Sequence, residues 1–179
     1  MKLLACPKCH QQLHLENKTL KCENNHCYDI SKRGYINLLL NPDKATNNPG
    51  DSKESLVARK AYLNKGYYDP ILNQVITCID EFKHQDDLSI LDLGCGEGYY
   101  TQGLKKHFEN SDIYGLDISK IAIDMATRYR KDVTWLVGNS KNIPILDHSL
   151  DFICALFTVV NQDELTRALK EDGYIAVSY

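Results

Sequence analysis

Leu88-Ser89-Ile90-Leu91-Asp92-Leu93 runs directly into Gly94-Cys95-Gly96-Glu97-Gly98, and a helical pattern follows through Phe108. A buried strand that breaks at a glycine loop and resumes as a helix opens a parallel α/β unit. Parallel strands need a crossover long enough to hold a helix, so one such unit constrains everything around it. The alternation continues. Ile113–Asp117 reads as a second strand, and Ser119 caps a helix over 120–130. Val133–Val137 is a third strand and Leu150–Phe157 a fourth. A helix over 162–170 is stopped by Gly173, and Tyr174–Val177 is the fifth strand. Upstream, apolar residues at helical spacing predict helices over 53–63 and 68–82. The expected fold is α/β: a Rossmann-like parallel sheet of five strands with helices on both faces. Closing on Val177-Ser178-Tyr179, the sheet is expected to be incomplete.

The N-terminal segment obeys another rule. Four of the seven cysteines lie within the first 27 residues, while Cys78, Cys95 and Cys154 are scattered. Met1-Lys2-Leu3-Leu4-Ala5 leads straight into Cys6-Pro7-Lys8-Cys9 without a secretory leader pattern, and no apolar run approaches the ~20 residues of a membrane span. The expectation is a cytoplasmic protein with no membrane partner, where clustered thiols serve a metal rather than disulfides. The spacing Cys6-x2-Cys9-x12-Cys22-x3-His26 suits one tetrahedral, structural zinc ion. Cys27 is the alternative fourth ligand; His26 is preferred, and Cys27 is expected to face inward as packing. So small a segment has too few apolar residues for a core of its own, so the metal is expected to hold it together. Asn41 to Ser52, with Pro42 and Asn47-Asn48-Pro49-Gly50, reads as a linker. The division is therefore 1–38 for the zinc module, 39–66 for the linker and connecting helix, and 67–179 for the α/β domain.

A glycine loop after a strand lets a ligand approach the backbone, and the following helix start favours an anion. The spacing is GxGxG, not the GxGxxG of dinucleotide sites, so S-adenosylmethionine is the expected cofactor, its carboxylate being the anion. Gly94, Cys95, Gly96 and Gly98 would contact it by backbone. Glu97, at the helix start, orients the loop or acts as a base. Asp92 would brace the loop and face the methionine amino group. Asp117, ending the next strand, would accept the ribose hydroxyls, and Asn139 and Ser140 would border the adenine. Cys95 reads as a small loop residue rather than a nucleophile.

These motifs together resemble the RlmA-like large-subunit (23S) ribosomal RNA guanine-N1 methyltransferases. The resemblance runs through Cys6/Cys9/Cys22/His26, Asp29, Gly34–Leu39, Gly50-Asp51-Ser52, Ala58-Arg59, Leu63, Gly66-Tyr67-Tyr68, Leu91–Tyr100 and Gly115–Lys120. It implies that the zinc module recognises RNA and that the α/β domain methylates N1 of a guanine in a hairpin loop. It also implies that Tyr68 helps to hold the cofactor. Two departures accompany it. Ala155 and Phe157-Thr158-Val159 stand where the family carries Arg and Tyr-Ala-Pro, and the chain is shorter than its relatives.

The charge distribution is compatible with nucleic acid meeting the front end and equally with ordinary solvated surface. Residues 1–65 hold 11 Lys/Arg against 6 Asp/Glu, and residues 66–179 hold 10 against 18. Lys8, Lys18, Lys21, Lys32, Arg33 and Lys44 are candidates for phosphate contact, with plain surface as the alternative. Tyr28 and Tyr35 either stack on bases or pack in the core. Two rival readings are a small-molecule methyltransferase and a shortened, non-catalytic RNA-binding relative. A homodimer is compatible with the sequence, and no residue stands out as the base for the N1 proton.

Overall fold

The computed structural model describes residues 1–40, 50–83 and 85–178. Most of the expected linker, 41–49 with Lys44, lies outside them. Three short strands, β1 (His14–Glu16), β2 (Thr19–Lys21) and β3 (Cys27–Asp29), form an antiparallel ribbon in the order β1-β2-β3. Asn17 makes the β1–β2 turn at φ 59°, a left-handed conformation that asparagine tolerates better than most residues.

The main sheet has six parallel strands, one more than the sequence pattern predicts. They are β4 (Ile36–Asn37), β5 (Ser89–Leu93), β6 (Asp112–Asp117), β7 (Thr134–Val137), β8 (Leu150–Leu156) and β9 (Leu169–Ser178). Their order is β4-β7-β6-β5-β8-β9. The extra strand, β4, comes from the end of the N-terminal segment. Ile36 pairs with Leu136 and Asn37 with Val137. Two residues are too short to display the alternation that identifies a strand.

A second difference concerns Gly173. Helix α5 (Gln162–Ala168) ends where Leu169 turns extended at φ −72°, ψ 144°. Gly173 lies inside β9, in the irregular stretch between the Leu150–Leu169 and Phe152–Tyr174 pairs. It accommodates the register shift rather than stopping a helix.

Each face of the sheet takes alternate residues. Ile90, Ile113, Val137, Phe152 and Cys154 pack beneath α2 (Asp69–Phe82), α3 (Tyr99–His107) and α4 (Lys120–Ala126), meeting Val75, Ile79, Leu104 and Ile123. Leu91, Leu93, Tyr114, Leu116 and Leu136 face the other way. Helices lie on both faces, as expected, but unevenly. Among the described residues α5 is the one helix on the second face, through Leu165 and Ala168, and the ribbon covers another part of it with Leu4, Leu13 and Leu20. Backbone bonds tie the two together: Ala5 N–H donates to Pro144 O (3.0 Å), and Leu146 N–H to Leu3 O (2.9 Å). The ribbon thus borrows the core it cannot build. Leu20 is fully buried in this shared layer. Leu20→Ala is expected to cost ~2–5 kcal/mol in urea unfolding with zinc present, as a cavity in a common core should. A loss under ~0.5 kcal/mol would mean that the ribbon is merely tethered.

Candidate functional site

The glycine loop is positioned by strand register. Leu93 pairs with Leu116, so Gly94 and Asp117 emerge side by side from β5 and β6. The N–H groups of Gly94 and Cys95 both donate to Leu116 O, at 2.8 and 3.1 Å. Gly96 N–H donates to Asp117 Oδ2 (2.9 Å), and Ser119 N–H to Asp117 Oδ1 (2.7 Å). One carboxylate therefore anchors the loop and the start of α4. Each of its oxygens retains acceptor capacity for a further donor. Burial raises its pKa, opposed by the Ser119 and Gly96 amides.

Two of the glycines are sterically required. A Cβ on Gly98 (φ +86°) would lie 2.6 Å from Trp135 Cη2, and one on Gly94 (φ +73°) 2.3 Å from Thr158 Oγ1. Trp135 forms the floor of the loop, a role that a lone tryptophan in a predicted strand does not announce.

Two cavities flank the loop and share Gly94. One, of about 240 Å³, is bordered by Arg59, Tyr62, Tyr68, Glu97, Tyr100 and Phe157, with Gly94, Cys95 and Gly96 as its floor. The other, of about 270 Å³, is bordered by Asp117, Ile118, Asn139, Ser140 and Lys141. Thr158 stands over Gly94 between them. Among the described residues, Glu97 Oε1 and Tyr100 Oη are buried without a hydrogen-bond partner. Buried polar atoms without partners in a cavity wall suit a polar ligand. A larger groove, about 560 Å³ between α2 and β9, is lined by apolar and uncharged residues, with no charged group to fix a ligand's orientation.

Asp92, expected near the ligand, borders neither cavity. It is 2% exposed beneath the loop and accepts from Thr101 Oγ1 at 2.5 Å. Burial pushes its pKa up to about 7. The folded pKa exceeds the unfolded value of about 3.9, so the stabilisation it confers is full at low pH and is lost as pH rises toward 7. Asp92→Asn should therefore flatten the fall in stability between about pH 4 and 7. Urea midpoints of both proteins across that range check this; parallel curves would refute it. Cys95 is buried, and burial holds its thiol well above the ordinary range, so it remains neutral.

In the ribbon, Cys6, Cys9, Cys22 and His26 place their ligand atoms within 4.8 Å of one another. Cys9 and Cys22 Sγ are 3.6 Å apart, and His26 Nδ1 lies 3.4 Å from Cys6 Sγ and 3.5 Å from Cys22 Sγ. A tetrahedron with zinc–sulfur bonds of ~2.3 Å has edges of about 3.5–3.8 Å, so the donor set fits zinc. Cys27 is exposed, correcting the expectation that it packs inward. Along β3 the side chains alternate, and Tyr28 takes the inward position with its Oη 3.3 Å from Cys6 Sγ. Tyr35 is buried in the core. Lys8, Lys18 and Lys32 are exposed, whereas Arg33 pairs with Asp124 at 2.8 Å.

Fold and site together define an S-adenosylmethionine-dependent methyltransferase fold joined to a zinc ribbon. Residues 90–173 match a methyltransferase domain model, and residues 4–45 match the RlmA N-terminal zinc ribbon. A 23S rRNA (guanine(748)-N(1))-methyltransferase of Streptomyces fradiae is 28% identical over 99% of this chain and 63% of its own length. A Bacillus subtilis relative, provisionally named a 23S rRNA (guanine-N(1)-)-methyltransferase, is 30% identical over 97% of this chain and 62% of its own length. The chain thus spans under two thirds of the length of these relatives. Among solved structures, a SAM-dependent methyltransferase of Aquifex aeolicus aligns at TM-score 0.50 and 27% identity, covering 56% of this chain and 61% of its own. A Methanococcus maripaludis structure, provisionally titled an S-adenosyl-L-methionine-dependent methyltransferase, aligns at 0.59 and 23%, covering 74% and 67%. The chain is thus similar over nearly its whole length to relatives named as 23S rRNA guanine-N1 methyltransferases, with an RlmA-type ribbon in front of a methyltransferase domain.

Sequence reasoning did not assign Arg59, Tyr62, Tyr100, Thr158 or Phe157 to the site. Arg59 and Tyr100 enter the sequence reading as motif residues alone, and Phe157 and Thr158 as departures at the place where the resemblance puts the entry of target bases, not as cofactor neighbours. Phe157 has φ 55° and an edge contact to Tyr68, 6.1 Å between ring centres. A left-handed conformation is rare for so bulky a residue, and φ is not readable from sequence.

Proposed function

We propose that this chain binds S-adenosylmethionine across the two cavities flanking Gly94 and zinc at Cys6, Cys9, Cys22 and His26. It methylates N1 of a guanine in a hairpin loop of large-subunit ribosomal RNA. The observation that carries this is one chain holding both a three-cysteine, one-histidine cluster within 4.8 Å and an Asp117-anchored glycine loop. The two Streptomyces and Bacillus relatives, named for that activity, supply the substrate. The functional division remains 1–38, 39–66 and 67–179, with β4 as the seam. The site of action is the cytoplasm, and no helix of the described residues is long and apolar enough to cross a membrane.

The roles follow the geometry. Asp117 accepts from the ribose hydroxyls while retaining its two backbone donors. Asn139 and Ser140 border the adenine, and Tyr68 covers the sulfur end. Gly94, Cys95, Gly96 and Gly98 offer backbone surface, and Asp92 braces the loop from below through Thr101. When bound, the sulfonium supplies an activated methyl group, so alignment with the nucleophile is the protein's main task, worth up to ~7–11 kcal/mol. N1 lies on the pairing edge, so the guanine must be unpaired or flipped out, at a cost of about a few kcal/mol that a loop target lowers. The exposed Lys8, Lys18 and Lys32 are placed for phosphate contacts from the ribbon side.

Primer extension on ribosomal RNA incubated with the protein and S-adenosylmethionine tests this. An N1-methylated guanine cannot pair, so a cofactor-dependent stop at one guanine is expected. RNA binding without any stop would refute methyl transfer.

A further inference from the structure

The cavity bordered by Tyr68 and Glu97 must hold one end of a zwitterion if the cofactor reading is right, and the inference that follows rests on that reading. The glycine loop is a poor partner for a carboxylate. The N–H groups of Gly94 and Cys95 are committed to Leu116 O, that of Gly96 to Asp117, and that of Gly98 to Cys95 O at 2.9 Å. The acidic groups at the loop, Asp92, Glu97 and Asp117, add negative charge rather than offset it. An anion entering here needs a cation from elsewhere.

Arg59 supplies one. It projects from α1 (Lys53–Leu63), and among the described residues it is the only Lys or Arg bordering this cavity. Its Nη2 lies 2.8 Å from Asp51 Oδ2, which steadies the guanidinium at the edge of the cavity. Its Nη1 would lie 3.5 Å from a Cβ on Gly96, so that end of the fork rests against the glycine loop. A guanidinium held by one carboxylate keeps further N–H donors in the same plane. On the same cavity, Glu97 is 3% exposed, and its Oε1 has no partner among the described residues. A cation and a carboxylate on one cavity match the two charges that an amino acid carries on a single carbon.

We propose that Arg59 takes the α-carboxylate of the ligand's methionine end while Glu97 takes its α-ammonium. Arg59 is thereby a specificity-determining residue that selects ligands with an intact amino-acid terminus.

Three probes test this by calorimetric titration of the zinc-loaded chain: S-adenosylmethionine, its decarboxylated analogue, and 5′-methylthioadenosine, which lacks both charges. Arg59→Ala is expected to weaken S-adenosylmethionine about 10- to 100-fold, the range of a charge-assisted hydrogen bond. The same variant should leave decarboxylated S-adenosylmethionine within about 2-fold, which also shows that it is folded. Arg59→Lys should recover part of the loss. Glu97→Gln should weaken both amine-bearing ligands and spare 5′-methylthioadenosine. Equal losses on the carboxylated and decarboxylated ligands, or no loss on either, would overturn the proposal and leave the cofactor reading standing. A wild-type chain that binds none of the three would overturn the cofactor reading itself.

Discussion

Stripping the metal from this protein is expected to melt the ribbon and to lower the stability of the methyltransferase domain with it. The ribbon has three strands of three residues each and little apolar surface beyond Leu4, Leu13 and Leu20. Structural zinc contributes ~10–16 kcal/mol in small metal-folded modules, far more than these side chains can replace. The leucines are buried against Leu91, Leu93, Leu116 and Leu136, so losing the ribbon exposes one face of the sheet. Exposing each of them costs ~1.5–3 kcal/mol. Cys6→Ser should reproduce the effect, because Cys6 is buried at the cluster and its Sγ lies near both His26 and Tyr28. Thermal unfolding followed by circular dichroism, with and without chelator, reads this directly. One transition at a lower temperature is expected. An unchanged transition for the sheet would show that the two parts fold independently.

Asp117→Asn should carry the second large effect, a loss of about 100-fold in S-adenosylmethionine affinity. The carboxylate receives two backbone donors, Gly96 N–H and Ser119 N–H, on different oxygens. An amide has a single oxygen, so in either orientation its NH2 faces one of those N–H groups. That leaves a donor against a donor in a largely buried site, at ~1–3 kcal/mol, and removes one acceptor for the ribose hydroxyls. Isothermal titration measures the affinity, and unfolding in the same samples separates a loosened loop from a lost ligand contact. A loss under about 3-fold would mean that Asp117 serves the fold alone.

The parts legible in the sequence are those where local chemistry admits few conformations. Gly94, Gly96 and Gly98 all take positive φ, and that requirement is visible as glycine. Cys6, Cys9, Cys22 and His26 are visible because metal ligands come at fixed spacings. What stayed hidden depends on distant partners. β4 exists because Ile36 meets Leu136, a hundred residues away in the chain. The isolated leucines of the ribbon look like surface until the sheet face they cover is known. Gly173 looks like a helix stop because a glycine between a helix and a strand usually is one, and only the Leu150–Leu169 pair reveals the longer strand. Arg59 escaped assignment because a single arginine on an upstream helix has no local pattern; its meaning comes from Asp51 and Gly96 around it.

Hydrogen exchange with and without S-adenosylhomocysteine tests the central claim, that one ligand spans both cavities about Gly94. Slowed exchange is expected in residues 94–101 and 137–141 together, saturating at one ligand concentration, with residues 4–29 unchanged. Protection confined to the groove between α2 and β9, or to one side of Gly94 alone, would contradict it.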